Sequence, residues 1–278
     1  MILDYQQFDF QGKMTFVRAV VKPPFRMSFE MHNEACFYFV KSGTQRVYAP
    51  TDNFDMNSDE GIVLQCGTYI NDFIASKDAE YCEAIAIHLF PDMLKLVYDN
   101  EFPDFLTNLE QMTPALYERA QSTSLLENYI ESLEFYFKNP ELVSDELLKL
   151  KLKELILLLS KTSNADIIKT LLAGAYDPQQ AEFKEVIEAN LFNNMNSQEL
   201  ALLTNLSLSS FKRTFEKNYN EPPASYMRRR KLEQAAKLLK STELRVSDVA
   251  FDCGFSDLAN FSKSFQKMYD TSPSEYRK

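Results

Sequence analysis

The period of the apolar positions changes near residue 90. Before it, apolar runs recur at strand length: Phe37-Tyr38-Phe39-Val40, Arg46-Val47-Tyr48, Ile62-Val63-Leu64 and Ala84-Ile85-Ala86-Ile87-His88-Leu89. Ser42-Gly43 and Asp59-Glu60-Gly61 separate them as turns. This pattern predicts an antiparallel sandwich or barrel over residues 1–90. From Pro91 the spacing becomes helical. Leu125, Tyr129, Leu133 and Phe137 repeat at i, i+4, with Ser124-x-x-Glu127 in front as a capping box. A second helix is expected from about Asp145 to Lys161, capped by Ser144, with an apolar stripe of Leu147, Leu148, Leu152, Leu155, Ile156 and Leu159. Leu157 and Leu158 add apolar surface on neighbouring faces, enough to pair with a second copy across a two-fold axis or to be buried within one subunit. Ala173 to Gln180 then reads as a linker. The predicted organisation is a regulatory half over 1–172 (strands 1–90, helices 91–172), a linker at 173–181, and a helical domain over 182–278.

The last hundred residues repeat themselves at a shift of 50. Phe211, Arg213, Thr214, Phe215, Lys217, Tyr219, Pro223 and Tyr226 meet Phe261, Lys263, Ser264, Phe265, Lys267, Tyr269, Pro273 and Tyr276. Upstream the shift is 49: Glu199, Leu200, Ala201, Asn205 and Ser207 meet Asp248, Val249, Ala250, Gly254 and Ser256. Each copy reads as helix-turn-helix. Asn196 caps the first helix with Glu199 three residues on, and small Ala201 lets the second helix approach. Asn205, or Gly254, stands where the chain must turn, and these residue types tolerate the left-handed conformation. Ser207 and Ser256 are the expected caps of the second helices, each of which buries a Phe pair at i, i+4.

The opposite face of those helices carries the candidate chemistry. It presents Ser209, Ser210, Lys212, Arg213 and Lys217 in the first copy and Asn260, Ser262, Lys263 and Lys267 in the second, with Ser207 and Ser256 at the helix starts. Such side chains suit base edges and phosphates of double-stranded DNA. A helix from about Ala224 to Leu239 joins the copies, with Arg228-Arg229-Arg230-Lys231 on its exposed part. Two recognition helices on one body need to lie about one DNA turn, ~34 Å, apart to enter successive major grooves.

Charge refines this picture. The 278-residue chain has a formal net charge of −10, which argues against nucleic acid. Residues 1–180, however, carry 15 Lys and Arg against 27 Asp and Glu, whereas 181–278 carry 15 against 13, a net +2 with the basic residues clustered. A local basic face binds phosphates even on an acidic chain; a merely solvated helix surface is the competing reading. Composition is that of an ordinary globular protein, at 45% hydrophobic and 25% charged. Apolar runs such as Leu155 to Leu159 are far too short to span a membrane. The first residues lack a basic and apolar leader, and four scattered cysteines read as reduced, so a cytoplasmic protein is expected.

The C-terminal stretch from Phe183 to Lys278 resembles the DNA-binding domain of AraC/XylS-type transcription regulators. The family's R-L-x-x-A-x-x-L-L corresponds to Lys231-Leu232-Glu233-Gln234-Ala235-Ala236-Lys237-Leu238-Leu239. Its second signature corresponds to Ala250-Phe251-Asp252-Cys253-Gly254-Phe255, then Phe261-Ser262-Lys263-Ser264-Phe265-Gln266, then Ser272-Pro273-Ser274-Glu275-Tyr276-Arg277. Departures are Lys at 231 and 263 for Arg, Gln266 for Lys, and Asn220 and Asp270 where Gly is usual. Lys263 replaces a fork of donors by a point charge, which bears on guanine reading there. The resemblance implies an α+β two-domain protein: a cupin-like β-sandwich with a helical dimerisation segment, then an all-α domain with two helix-turn-helix units. It implies a sequence-specific regulator, an activator working with RNA polymerase. Glu60-Gly61-Ile62-Val63-Leu64 resembles a cupin turn-then-strand, and Glu83 to Leu96 is similar to regulators related to type III secretion activators, which can be controlled by a protein partner.

Other function classes fit less well. A metal cupin needs about three His and a carboxylate, and the chain has only His32 and His88, so no metal or other cofactor is expected. No nucleophile elbow, P-loop or dinucleotide fingerprint is present, so no catalytic residue is assigned. Phe37, Phe39, Ile62, Leu64, Phe73, Ile85 and Ile87 would line a pocket for a small apolar ligand or simply fill the core. The alternatives from other classes are a ligand-binding or catalytic sandwich with an accessory helical domain, and an adaptor whose C-terminal helices bind protein.

Overall fold

The structure is a computed structural model; it describes residues 1–65, 67–75, 79–99, 124–160 and 182–277, and the backbone of 117–120. The chain divides into two compact units, Met1–Ala49 with Asn53–Gln179, and Pro50–Asp52 with Gln180–Lys278. The predicted linker at 173–181 lies outside the described residues.

Among the described residues the first unit holds ten strands in two antiparallel sheets. They are β1 (Ile2–Phe10), β2 (Lys13–Val21), β3 (Phe25–Met31), β4 (Ala35–Ser42), β5 (Thr44–Tyr48), β6 (Asn53–Met56), β7 (Glu60–Leu64), β8 (Gly67–Ile74), β9 (Cys82–Leu89) and β10 (Tyr117–Ala120). Six strands run in the order β1-β2-β9-β4-β7-β10, and four in the order β3-β8-β5-β6. Three helices, α1 (Pro91–Val97), α2 (Ser124–Lys138) and α3 (Asp145–Leu159), contribute to the core on the larger sheet. The central strands β4 and β7 of that sheet are thus buried on both faces, which is why β4 reads as an unbroken apolar run from Ala35 to Val40.

Side chains alternate across a strand, so neighbours in such a run enter different cores. Phe37, Phe39, Ile85 and Ile87 join Val63 and the helical residues Leu126, Tyr129 and Leu152. Cys36, Tyr38, Ile62, Leu64 and Ala84 face the interior between the sheets, with Val47 and Tyr69. A cavity of about 170 Å³ lies there, lined by Ala19, Cys36, Phe73, Ala84 and Ala86 among others. Of the seven predicted pocket residues only Phe73 borders it. Phe37, Phe39, Ile85 and Ile87 belong to the helix side, one residue out of phase, and Ile62 and Leu64 pack within the sandwich away from the cavity. The space exists because small side chains meet there: Ala19 and Ala84 are partners across β2 and β9, and Ala86 faces Val17.

The helical segment also departs from expectation in three places. Residues 117–120, expected to be helical, form β10 and pair antiparallel with β7. Ser124 is the first residue of α2, inside the helix, and not the residue before it. Leu125 is 61% exposed, and the stripe that packs is Leu126, Tyr129, Ile130, Leu133 and Phe137. In the second helix Ser144 is the cap, accepting from the Leu147 amide at 3.3 Å, and Leu148, Leu152, Leu155, Ile156 and Leu159 are buried as expected, while Leu147 is half-buried and the helix ends at Leu159.

The second unit is all helical: α4 (Phe183–Ala189), α5 (Ser197–Leu203), α6 (Leu208–Tyr219), α7 (Pro223–Ser241), α8 (Val246–Asp252), α9 (Leu258–Tyr269) and α10 (Pro273–Tyr276). It has two cores. One gathers Ile187, Leu191, Leu200, Phe211, Phe215 and Tyr226, the other Leu232, Ala235, Leu239, Val249, Phe261 and Phe265. Helix α7 contributes to both, its N-terminal half to the first and its C-terminal half to the second.

Candidate nucleic-acid interface

Helices α5 and α6 form the first helix-turn-helix and α8 and α9 the second. Asn196 caps α5: its side-chain oxygen accepts from the amides of Gln198 at 2.8 Å and Glu199 at 3.1 Å, while the Asn196 amide donates to Glu199 at 2.7 Å. The turn follows at Asn205, with φ of 52°. It closes when the Leu206 amide donates to the carbonyl of buried Ala201 at 2.9 Å. In the second copy Gly254 has φ of 76°, and the Phe255 amide donates to Ala250 at 3.0 Å. The two turns are one device. They differ in surroundings: a Cβ on Gly254 would stand 2.1 Å from the Phe192 carbonyl oxygen, so the second turn needs glycine for space as well as for conformation.

The recognition helices start with different caps. Ser207 accepts from the Ser210 amide at 3.3 Å. The second cap is Asp257, whose carboxylate accepts from the amides of Ala259 and Asn260, both at 3.0 Å. The predicted cap Ser256 lies one residue earlier, so the extra residue of the second copy falls between Gly254 and Asp257. Both helices end on a left-handed residue, Asn220 at φ 56° and Asp270 at φ 55°, in place of the usual Gly.

Behind each recognition helix runs the same aromatic ladder. Phe211 and Phe215 stand 5.6 Å apart, Phe215 and Tyr219 4.6 Å, and Phe215 and Tyr226 5.4 Å. In the second copy Phe261 and Phe265 stand 5.5 Å apart, Phe265 and Tyr269 4.6 Å, and Phe265 and Tyr276 5.2 Å. All four Phe rings are fully buried. Burying each contributes on the order of 1.5–3 kcal/mol. The ladder fixes which side of each helix faces out. On that side Ser209, Lys212, Arg213 and Lys217 are exposed, with Ser207 at the start and Ser210 half-buried. In the second helix Asn260, Lys263 and Lys267 are exposed, Ser262 is half-buried, and exposed Ser256 sits in the turn ahead of it. The predicted residues therefore form one outward face per unit.

The basic run on α7 is not the open patch expected. Arg229 pairs with Glu221 and with Glu233, and these hydrogen bonds, Glu221 first, hold its pKa above the ordinary value. Arg230 pairs with Glu188 at 3.0 Å, with the same upward effect. Lys231 is buried and donates to the carbonyls of Gly254 at 2.9 Å and Asn193 at 3.3 Å; burial lowers its pKa. It ties the second turn to α7 and to the chain after α4. Only the family motif marked Lys231 in the sequence; nothing in charge or periodicity signals a buried amine. Among the described residues no group of three His, Cys, Asp or Glu could hold a metal ion. His88 pairs with Glu34 at 2.8 Å, and His32 is exposed near Glu30.

Two capped helix-turn-helix units, each with a basic outward face and joined by one shared helix, in a chain that also carries a β-sandwich unit, define a two-domain DNA-binding regulator. Residues 200–278 match the helix-turn-helix domain family and residues 35–170 the ExsA N-terminal regulatory domain family. The virulence regulon transcriptional activator VirF of Yersinia enterocolitica is 21% identical over 248 residues, covering 88% of this chain and 90% of that protein. The activator AarP of Providencia stuartii is 35% identical over 91 residues, 33% of this chain and 67% of AarP. Among solved structures, ToxT from Vibrio cholerae O395, bound to (E)-4-(8-methylnaphthalen-1-yl)but-3-enoic acid, is 16% identical, covers 95% of this chain and 98% of its own, and has a TM-score of 0.40. The chain belongs to the AraC/XylS-type transcription regulators.

Proposed function

We propose that this regulator is an activator that reads two adjacent major grooves of a promoter with α6 and α9. Ser207, Ser209, Ser210, Lys212, Arg213 and Lys217 of the first unit, and Ser256, Asn260, Ser262, Lys263 and Lys267 of the second, contact bases and phosphates. The observation that carries this reading is the paired aromatic ladder, which turns the same helix face outward in both copies. Residues 1–172 regulate, 173–181 link and 182–278 bind DNA. The protein acts in the cytoplasm, without catalysis, and presents RNA polymerase with its bound form. No helix among the described residues is long and apolar enough to cross a membrane. Selection of genomic fragments by the purified full-length chain, followed by salt-dependent binding to the selected sequence, tests the reading; binding that ignores sequence defeats it.

Two features support control through the first unit. The cavity between the sheets is walled by apolar side chains, and exposed Ile2, Tyr5, Met14 and Met27 also line it. Its one amide, buried Asn71, donates to Tyr38 at 3.1 Å while its side-chain carbonyl oxygen has no partner among the described residues. A cavity near 150 Å³ holds a benzene-sized molecule, so a small apolar effector fits, with a regulatory protein as the alternative. Helix α3 leaves Leu150 and Leu157 exposed seven residues apart on one face, which supports a homodimer. A monomer in sedimentation at micromolar concentration would remove the dimer from this proposal.

A further inference from the structure

Four basic residues stand in a row on α7, and three are engaged. Arg229 holds two carboxylates, Arg230 holds Glu188, and Lys231 holds two carbonyls. Arg228 is exposed, and among the described residues it has no hydrogen bond or ion pair. Its side chain borders a groove of about 320 Å³ that lies between the two helix-turn-helix units. One wall is the segment Asn194 to Ser197 that leads into α5; the other is the second turn, Gly254 to Ser256, with Asn260 of α9. Among the described residues, Arg228 and Lys231 are the charged ones lining this groove, and no carboxylate does so. In a chain with net charge −10, that selection of lining is notable: an anion entering here meets two cations and several neutral polar groups.

The groove's position says which anion. Resting on the reading that both units engage one duplex, the stretch of DNA between two successive major grooves presents its minor groove, flanked by two phosphate strands, to whatever lies between the recognition helices. We infer that Arg228 is a phosphate anchor in that interval, a third contact independent of both recognition helices. A guanidinium offers paired donors matched to a phosphate's oxygens, and an unpartnered one gives up no ion pair on binding. Because phosphates carry no sequence, this contact positions the duplex and adds affinity without adding selectivity.

The test is the salt dependence of full-length protein binding to a genomic fragment it selects and to a scrambled duplex of equal length. Arg228→Gln should weaken both by a similar factor, roughly five- to tenfold at physiological salt, and reduce the slope of log affinity against log salt by about 1. Arg228→Lys should keep the slope, because it keeps the charge. Arg229→Gln should leave the slope unchanged. The unfolding midpoint of Arg228→Gln should equal that of the parent, since no contact is lost. An unchanged slope and affinity for Arg228→Gln overturns the anchor while leaving the two-unit reading intact. A loss confined to the selected fragment also overturns it, assigning Arg228 to base reading. A parent protein that binds no duplex at any salt overturns the reading beneath it and the anchor together.

Discussion

Phe211, Phe215, Tyr219 and Tyr226 in the first helix-turn-helix, and Phe261, Phe265, Tyr269 and Tyr276 in the second, form the same ladder: the separations that involve a Phe ring agree to within a few tenths of an ångström, and the two tyrosines stand 4.3 Å apart in the first and 5.0 Å in the second. Outside this ladder the two units part. The first presents Lys212, Arg213 and Lys217 and caps its recognition helix with a neutral serine. The second presents Ser262, Lys263 and Lys267 and caps with the Asp257 carboxylate. An aspartate at that position satisfies the helix end as well as serine does, but it occupies the positive pole that a phosphate would otherwise use. The interior of each copy is constrained by packing and has stayed alike; the surface is constrained only by what it touches. The difference predicts that the first unit carries more of the electrostatic affinity and the second is held more rigidly to the shared helix.

The largest expected effect comes from that rigidity. Gly254→Asn makes the second turn like the first in composition but drives a Cβ into the Phe192 carbonyl. It should destabilise the second domain by roughly 2–4 kcal/mol, since backbone must move. Asn205→Gly, the reverse change in the first turn, should cost under about 1 kcal/mol, because the left-handed residue there already accepts either type. Urea unfolding of the full-length variants measures both. Equal losses would mean that the two turns are equivalent and the Phe192 contact is soft.

This asymmetry shows where sequence reasoning stops. The repeat, the capping box at Asn196 and the left-handed turns are local, and local chemistry writes them into residue types. Phe192 approaches Gly254 from 62 positions away, and no local pattern reports it. The same holds for Lys231, whose carbonyl partners come from α4's exit and from the second turn. Ser256 is the expected cap and Asp257 the actual one, because both residue types can cap and only the helix start decides. In the first unit, the apolar run of β4 carries no polar alternation, so the phase that sends Phe37 and Phe39 to the helices and Cys36 and Tyr38 to the cavity side is invisible. The cavity itself is marked by alanines, which signal absence of bulk only once their strands are known to be neighbours. The mixture of a strand-rich start and helical remainder, by contrast, follows from the change of period near residue 90, whereas the division into two units near residue 180 is signalled by the internal repeat and the family resemblance.

Next in size are the recognition faces. Arg213→Ala and Lys263→Ala should each weaken binding to a selected fragment by about 1–3 kcal/mol, with Arg213 the larger because its fork can make two bonds where Lys263 makes one. Lys263→Arg should sharpen discrimination between selected and scrambled duplex. Fluorescence anisotropy on both duplexes reads the ratio. If the Lys263 variant loses as much as the Arg213 variant, the units contribute evenly and the ranking above is wrong.

Exchanging the caps should act more gently. Asp257→Ser and Ser207→Asp ought to leave unfolding midpoints nearly unchanged, as both residues are good caps. Binding should move in opposite directions, tightening for Asp257→Ser and weakening for Ser207→Asp, each by about 0.3–1 kcal/mol at low salt. The same titration at raised salt should erase most of the difference. Parallel shifts in both variants would show that the helix ends stand away from phosphate.

The smallest contrast concerns the feet of the aromatic ladders in alkali. In the first unit burial, then the neighbouring Tyr226 and Glu188, push the Tyr219 phenol up to about 12. In the second unit burial, then Tyr276 and Glu233, raise Tyr269 as well. A phenol whose pKa is higher in the folded chain than in the unfolded one stabilises the fold fully below the unfolded value, about 10, and that contribution is lost as pH climbs through the folded value. Stability of the helical domain should therefore be flat up to about pH 10 and fall beyond it. Tyr219→Phe keeps the ring in the ladder and removes the titrating group, so it should flatten part of that fall; Tyr269→Phe should flatten less. Denaturation midpoints of the three proteins across pH 8 to 12 decide the matter. A fall that begins well below pH 10, or one that neither substitution changes, would place the alkaline transition outside both ladders.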